Sequence, residues 1–451
     1  MKTGSINFSV GSQVGIRFDA TYHLSEGLIV KRKILSSPYE MYTIGDVSSD
    51  IFYGNRAKRV YVTKRERGIP FLSSSDILQA DLDNVKLASK KYTPCIEQMT
   101  LKAGWTLISR SGTIGNCAFS NAKHAQKLAS EDVIRLVPNN ILRGGLVYAY
   151  LASRHGHSLL TQGTFGAVIQ HIEPNFIASL PIPKFPESFQ QEVDELIQES
   201  ARLRELAIDS LERAVSYFDN LYILPSTTTK FFSKKLNQLG FSFAAYNNNL
   251  EVDKFVGQYI DNSFEIQEES TNVFAPPLFK HIYLSKDNGY PFMTGGELSK
   301  SNMRYYRWLS PRGVGDIKDY VVQEGTLLLY KSGSLDGMIG SVFIVDNTID
   351  KCCLSDHVIR VIFPNKEVGY WTFAFLRSKG GVHLLKSLAT GAAIPFITPE
   401  RVSKLRIPKP DKNYVDVVKK VEYYISCISQ SKIKENQAIR MVEEEIEKWN
   451  N

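Results

Sequence analysis

Six cations fall within twelve residues of this sequence: Arg56, Lys58, Arg59, Lys64, Arg65 and Arg67, with Tyr61 among them. Cations at that density track a phosphate backbone, and arginine also matches guanine O6 and N7 in the major groove. An edge strand guarded by charge has the same composition, so both readings stand. In the second half, Arg304-Tyr-Tyr-Arg307-Trp308 mixes arginine with aromatics that fit a core equally well. Two Gly-rich turns follow apolar strands, Arg110-Ser111-Gly-Thr-Ile-Gly115 and Lys331-Ser332-Gly-Ser-Leu-Asp-Gly337. A cation beside exposed backbone N–H groups suits phosphate oxygens. A tight turn needing glycine at positive φ explains the same residues without a ligand.

Chemistry that would act on a nucleic acid is missing. No GxxxxGK[ST] sequence occurs, which speaks against an ATP-driven motor, and no Gly-rich fingerprint joins strand to helix for a nucleotide cofactor. The nearest approach to the Asn-Pro-Pro-Phe tetrapeptide of amino-methyltransferases is Glu173-Pro-Asn-Phe176. Its repeat partner, Thr398-Pro-Glu-Arg401, lacks the aromatic that would stack on a flipped base, so both read as Pro-initiated turns. His357 stands where the first copy has Asp132, and neither has a partner for acid–base work. Cys95, Cys117, Cys352, Cys353 and Cys427 form no CxxC pair and have no histidine at ligand spacing, so they read as reduced thiols and no metal is expected.

These segments belong to a sequence written twice. Gly166 to Pro183 reads GAVIQHIEPNFIASLPIP, and 225 residues later Gly391 to Pro408 reads GAAIPFITPERVSKLRIP. Gly104–Ile114 matches Gly325–Leu335, and Gly68-Ile-Pro-Phe71 matches Gly289-Tyr-Pro-Phe292, both at an offset of 221. Glu131-Asp-Val-Ile-Arg135 returns as Asp356-His-Val-Ile-Arg360, and Gly15, Phe18 and Ala20 find Gly240, Phe243 and Ala245, all at 225. Between the anchors the copies diverge, as in Arg56–Arg67 against Pro277–Asn288. A shared frame with different variable segments implies one scaffold presenting two recognition surfaces.

The elements that would position those surfaces follow from pattern. Short β-rich runs (Arg59–Val62, Trp105–Ile108, Thr326–Tyr330, Ser341–Val345) alternate with Gly, Ser and Asn turns, and helical runs follow near Leu146–Leu160 and Trp371–Leu385. Each copy therefore reads as an α+β globule, over 1–185 and 226–410, followed by a long helix, over 186–225 and 411–451. Stepping alternately four and three residues through the second helix from Tyr414 to Trp449 meets apolar side chains at nine of eleven positions. Val418, Val421, Ile425, Ile428 and Ile439 lie on that seam. The first helix carries Val193, Leu196 and Leu203 in the same frame, with small residues at Ser200, Ala207, Ser210 and Ala214. A 4-3 pattern kept over five heptads predicts an antiparallel coiled coil between the two helices; the competing reading is an amphipathic helix lying on its own domain. A helix of about 37 residues is about 55 Å long, against about 34 Å for one turn of B-DNA.

Composition sets no obstacle. At 451 residues with 43% apolar and 22% charged side chains, the chain suits two or three globular domains. A net charge of +7 permits nucleic-acid binding without requiring it. The opening residues lack a signal peptide's basic start and apolar core, and no run is long enough to span a bilayer, so a cytoplasmic protein is expected.

Two divergent globules, each with a Gly-x-Pro-Phe run, a basic-Ser-Gly turn and a Gly-Ala-x-Ile…Pro…Leu-x-Ile-Pro run before a long helix, resemble the specificity (S) subunit of type I restriction-modification systems. The resemblance covers essentially the full chain. It implies two target-recognition domains, each reading half of a bipartite double-stranded DNA sequence, and two spacer helices that fix half-site separation and dock adenine-methylating (M) subunits, two in number. A restriction/translocase (R) subunit would join them for DNA methylation and phage defence. It also implies no catalytic residue and no cofactor in this chain: S-adenosylmethionine would belong to the methyltransferase, ATP and Mg to the restriction partner. The opening Gly-x-x-Phe-x-Ala departs from the Trp-containing start of many members, which leaves a type IIB-like specificity subunit open. A stand-alone DNA-modifying enzyme and a repeat scaffold for protein or glycan are the readings from other classes.

Overall fold

The structure is a computed structural model that describes residues 26–450 apart from 57, 83–84, 163, 165–170, 226–232, 237–238, 240–242, 303–306, 336 and 392. Gly15, Phe18, Ala20, Gly240, the Gly166–Gln170 run and Arg304 lie outside the described residues. The chain forms two compact units, Met1–Glu205 with Gln430–Asn451, and Leu206–Ser429.

In the first unit helix α1 (Glu26–Leu35) precedes strands β1 (Met41–Thr43), β2 (Ser48–Tyr53), β3 (Tyr61–Val62), β4 (Gly68–Leu72), β5 (Leu87–Ser89), β6 (Thr106–Ser109), β7 (Cys117–Phe119), β8 (Leu128–Ala129) and β9 (Val133–Pro138). Helices α2 (Gly144–Ala152) and α3 (Arg154–Gln162), strand β10 (Pro181–Pro183) and the long helix α4 (Glu187–Leu221) follow. The strands make a sheet of order β2-β9-β6-β7, a smaller one of order β3-β5-β4-β8 and the pair β1-β10. All four residues of β6 are buried. Successive side chains of a strand point to opposite faces, so such a run must be covered on both sides. Ile108 and Ile134 pack with Leu146, Val147 and Leu151 of α2, while Leu107 and Val133 meet Leu72, Leu101 and Ala118.

The second unit holds β11 (Ser263–Glu265), β12 (Asn272–Phe274), β13 (Tyr283–Leu284), β14 (Tyr290–Met293), β15 (Arg307–Leu309), β16 (Leu327–Tyr330), β17 (Val342–Ile344), β18 (Cys353–Leu354) and β19 (Val358–Ile362). Helices α5 (Lys366–Leu376) and α6 (Lys379–Ser387), strand β20 (Arg406–Pro408) and the long helix α7 (Tyr414–Glu447) complete it. Its sheets run β12-β19-β16-β17, β13-β15-β14-β18 and β11-β20, the same orders as in the first unit. Registers agree too. Thr106 faces Leu136 and Phe71 faces Leu128; their sequence counterparts Leu327 and Phe292 face Val361 and Cys353.

Each helical run expected as one element is two helices, α2–α3 and α5–α6. Ser153 Oγ accepts from the Gly156 N–H at 3.1 Å, and Ser378 Oγ from the Gly381 N–H at 3.1 Å. A Cβ on Gly156 would sit 2.2 Å from the Tyr150 carbonyl oxygen, and one on Gly381 2.2 Å from that of Phe375. A Ser-x-x-Gly corner thus ends one helix and starts the next, and only glycine fits its inner side.

A buried arginine ties the two sheets of each unit together. Arg135, on β9, is fully buried and donates to the carbonyls of Met99, Ala129, Ser130 and Val133 at 2.5–3.3 Å. Arg360, on β19, donates to Leu354, Ser355 and Val358 in the same way. Burial pushes both guanidinium pKa values down to about 10, still far above neutrality.

The long helices are buried over a stripe wider than a coiled-coil seam. Val193, Ile197 and Ala201 of α4 and Ala438, Ile439, Val442 and Ile446 of α7 share the first unit's core with α2. Leu211, Ala214 and Phe218 join Val417, Val418 and Val421 in the second unit's core, packed with Phe373 and Phe375. Off-seam Ile197, Leu211, Phe218 and Val417 are buried along with seam Val193, Val418 and Val421, while seam Leu196, Leu203 and Ile425 are only half-buried, so each helix segment packs on the globule of its unit as well as on the other long helix. In the first unit Ser200 Oγ donates to the Ser431 carbonyl at 2.8 Å. The carboxylate of Glu435, a charged seam residue, is buried and accepts from Arg204 Nη2 at 2.7 Å and from the Tyr148 hydroxyl. In the second unit Ser210 Oγ donates to the Lys420 carbonyl at 2.8 Å and the Tyr217 hydroxyl to Asp411. Moving forward on α4 there moves backward on α7, so the two segments run in opposite directions. No helix among the described residues is long and apolar enough to cross a membrane.

Candidate nucleic-acid interface

The cation-rich segment lies on the small sheet of the first unit. Val62 pairs with Leu87 and Gly68 with Ser89, and the Lys90 N–H donates to the Arg67 carbonyl at 2.9 Å. Between β3 and β4, Arg65–Arg67 forms one tight 3₁₀ turn. Arg56, Lys58, Arg59, Lys64, Arg65 and Arg67 are all exposed, and the pairing brings exposed Lys86, Lys90 and Lys91 beside them. These three lysines were missed in the sequence because strand pairing, not chain proximity, adds them. Lys86 Nζ stands 5.2 Å from the centre of the Tyr61 ring, and Lys91 Nζ 5.2 Å from that of exposed Tyr92. Arg59 is held more firmly: its Nη2 is 2.8 Å from Glu131 Oε1, and its guanidinium is 5.4 Å from the Phe71 ring. Arg56 approaches the same carboxylate at 3.8 Å. Phe71, Ala88, Met99 and Leu128 form a small core beneath. The segment is thus an edge strand and its turn, with all six cations exposed on the outer side.

The Gly-rich turns are placed differently. Gly112 and Gly115 take φ of 72° and 77°, and Gly333 takes 151°, values that glycine alone adopts freely. The Arg110 N–H donates to the Asp132 carbonyl at 2.8 Å and the Lys331 N–H to that of His357 at 2.9 Å, so the matched residues hold matched positions. Arg110 itself reaches Glu173 Oε1 at 2.5 Å and lies 4.4 Å from the Tyr53 ring centre, with its side chain only 16% exposed. Its charge is engaged within the chain. Ser111 and Ser332 are half-buried, the latter with Oγ 3.3 Å from His357 Nδ1. The turn expected at Glu173 is one helical turn, Pro174–Ala178, with proline at its first position.

On the corresponding sheet of the second unit the side chains change. Arg307 is exposed with its guanidinium 5.6 Å from the Tyr283 ring centre, and Tyr283 and Tyr290 are exposed. The Tyr283 hydroxyl is 3.3 Å from His281 Nδ1. His281 and Tyr283 lie in the divergent Pro277–Asn288 segment and Tyr290 in the Gly-x-Pro-Phe run, and sequence reasoning named none of the three as a binding residue. Among the described residues no group of His, Cys, Asp or Glu is arranged to hold a metal, and the five cysteines form no disulfide.

Fold and surface define a chain of two mixed helix-and-sheet units built to one plan, each with an exposed cation–aromatic surface on its smaller sheet. Residues 272–440 match the family model described as the type I restriction modification DNA specificity domain. The whole chain is similar to the type I restriction-modification S subunit from M. genitalium, at 12% identity and a TM-score of 0.37, covering 91% of this chain and 96% of that one. It is similar as well to the HsdS subunit from Thermoanaerobacter tengcongensis, at 12% identity and a TM-score of 0.29, covering 91% and 96%. A chain from a structure on complex assembly and conformational transition of the type I R-M system gives 13% identity, a TM-score of 0.29 and coverage of 92% and 98%. No curated protein matches.

Proposed function

We propose that this chain is the DNA-specificity subunit of a type I restriction-modification complex, recognising a bipartite duplex target. The observation that carries the reading is the repeated plan. Residues 272–440 match the specificity domain, and the first unit repeats the strand order and register of that segment while changing the side chains on the smaller sheet. One frame with two outer surfaces suits two different half-sites.

Exposed Lys64, Arg65, Arg67, Lys90 and Lys91 would neutralise phosphates of one half-site, giving salt-dependent affinity without sequence preference. A few side chains reaching base edges would supply specificity. On this reading α4 and α7 form an antiparallel coiled coil, an internal pseudo-two-fold relates the copies, and the helices set half-site spacing and dock two methyltransferase subunits. Catalysis belongs to the partners: S-adenosylmethionine to the methyltransferase, ATP and Mg to the restriction subunit. The setting is the cytoplasm, with chromosomal DNA.

Mapping N6-methyladenine genome-wide with and without the gene tests this. The expected result is a two-part motif that vanishes on deletion; an unchanged methylome in a strain with an active partner would refute the reading. Exchanging the first globule for that of another subunit should alter one half-site only.

A further inference from the structure

One feature of the smaller sheets has not diverged. Tyr61 and Ile69 both oppose Ala88 in the first unit, and Tyr283 and Tyr290 both oppose Leu309 in the second. Ile69 and Tyr290 are matched within the Gly-x-Pro-Phe runs, so Tyr61 and Tyr283 hold one position. The Phe71 N–H donates to the Lys86 carbonyl at 2.9 Å, and Phe292 opposes Arg307, so these two cations match as well. Each cation lies on its own tyrosine: Lys86 Nζ is 5.2 Å from the Tyr61 ring centre, and the Arg307 guanidinium carbon 5.6 Å from that of Tyr283. Each tyrosine stands 6.1 Å, centre to centre, from a buried phenylalanine, Phe71 or Phe292. Tyr283 falls one residue off the 221 offset of its neighbours, in the stretch where the copies diverge, which hid the match in the sequence.

A buried ring, an exposed ring and an outer cation thus recur in both units. Tyr61 is 41% and Tyr283 43% exposed, and both cations are exposed. Among the described residues neither Lys86 nor Arg307 has a carboxylate at ion-pair distance, whereas Arg59 is tied to Glu131. A cation already resting on a ring gives up little freedom when it meets a ligand. Around this stack the side chains change. Arg59 and His281 each stand two residues before the tyrosine, 5.4 and 5.3 Å from the ring centre of the matched phenylalanine, and Ile69 is replaced by Tyr290. What the stack meets is therefore common to two half-sites whose bases differ, and the backbone phosphate is the charged group they share. Phosphate accepts from lysine and arginine alike. We infer that Lys86 and Arg307 each neutralise one backbone phosphate at the equivalent place in their half-sites, with Tyr61 and Tyr283 as positioning residues. This rests on the functional reading above and adds which residues set the register of each unit on its half-site.

The test separates affinity from specificity. The full chain, assembled with its methyltransferase partner, is titrated over a range of salt against a duplex carrying the methylated motif, and the motif is mapped in cells. Lys86→Met and Arg307→Met should each lower the slope of log K against log salt by about 0.9, and the double variant by about 1.8, with the motif unchanged. Lys86→Arg and Arg307→Lys should keep slope and motif, because each puts on one half-site the cation used on the other. Tyr61→Phe should match wild type. Tyr61→Leu still covers Phe71 but has no ring; it should weaken binding alone and add nothing to Lys86→Met. An unchanged slope in either methionine variant would overturn the inference alone, as would a motif altered by Arg307→Lys, which would make that cation a reader of bases. Additive losses in Tyr61→Leu with Lys86→Met, or a lowered melt of the free Lys86→Met chain, would make the stack a packing contact and overturn it too. A wild-type complex without salt-dependent duplex binding would overturn the functional reading and this inference together.

Discussion

Replacing Arg204 by methionine removes the cation from a buried carboxylate while nearly conserving volume. Glu435 would keep the Tyr148 hydroxyl as a donor, in a position that is 3% exposed. Breaking a buried pair from one side costs about 3–5 kcal/mol, because the remaining charge stays desolvated. Adding Glu435→Leu relieves that charge but takes the carboxylate acceptor from the buried Tyr148 hydroxyl, for about 1–3 kcal/mol. Adding Tyr148→Phe should bring the triple variant back near wild type, since an apolar replacement of a buried pair is often neutral or better. The assay is hydrogen exchange on peptides from 187–205 and 430–447. Exchange through unfolding of the unit should quicken roughly 100-fold or more in Arg204→Met, at about 1.4 kcal/mol per tenfold, and slow again in the triple variant. Peptides from 206–221 and 414–429 provide the internal reference. Wild-type exchange in Arg204→Met, or a triple variant as labile as the single one, would refute the assignment of stability to this pair.

Other outcomes follow from the same geometry. Arg135→Met and Arg360→Met each strand buried carbonyls on two strands and should lower stability by several kcal/mol at about 1–3 per unsatisfied group, read as a lower Tm or insoluble protein. Gly156→Ala places a methyl 2.2 Å from a backbone oxygen that cannot yield and should cost about 3 kcal/mol in urea unfolding. Lys90→Glu with Lys91→Glu should weaken duplex binding and reduce the salt slope by about 1 for each phosphate no longer neutralised; an unchanged slope would remove them from the interface. His124 is buried, with nearby Arg204 and Lys127 adding to the effect, and its pKa falls to about 3. The unfolded chain takes up a proton there near pH 6.5 and the folded chain does not. Stability of the first unit should therefore decline as pH falls from about 6.5 towards 3, and His124→Gln should flatten that slope in a denaturation series.

Much of this was legible in the residues. Gly112, Gly115 and Gly333 marked turns that do take positive φ, and apolar runs such as Leu327–Tyr330 are strands. The 4-3 stepping found buried positions, including Val193, Val421 and Ile439. It did not separate helix-on-helix from helix-on-globule packing, because both bury side chains at neighbouring steps of one stripe. The Ser153 and Ser378 corners stayed hidden since periodicity carries through them: Leu151 and Leu160 are buried on either side. Arginines 135 and 360 stood in the sequence only as matched anchors of the repeat; their burial depends on carbonyl partners up to 36 residues away. The cation cluster was visible only as far as the chain is continuous; Lys86, Lys90 and Lys91 needed the register of β5.

The composition of the first unit fixes an order of events at the ribosome. The second unit, Leu206–Ser429, is one unbroken segment and can close as soon as it has emerged. The first unit, though begun earlier, lacks Ala438, Ile439, Val442 and Ile446 until the residues beyond Ser429 have been made. Leu146, Val147 and Leu151 wait with part of their cover still untranslated. The unit begun earlier is therefore the later to become native, and a nascent chain halted near residue 429 should present a finished second unit and a chaperone-dependent first unit.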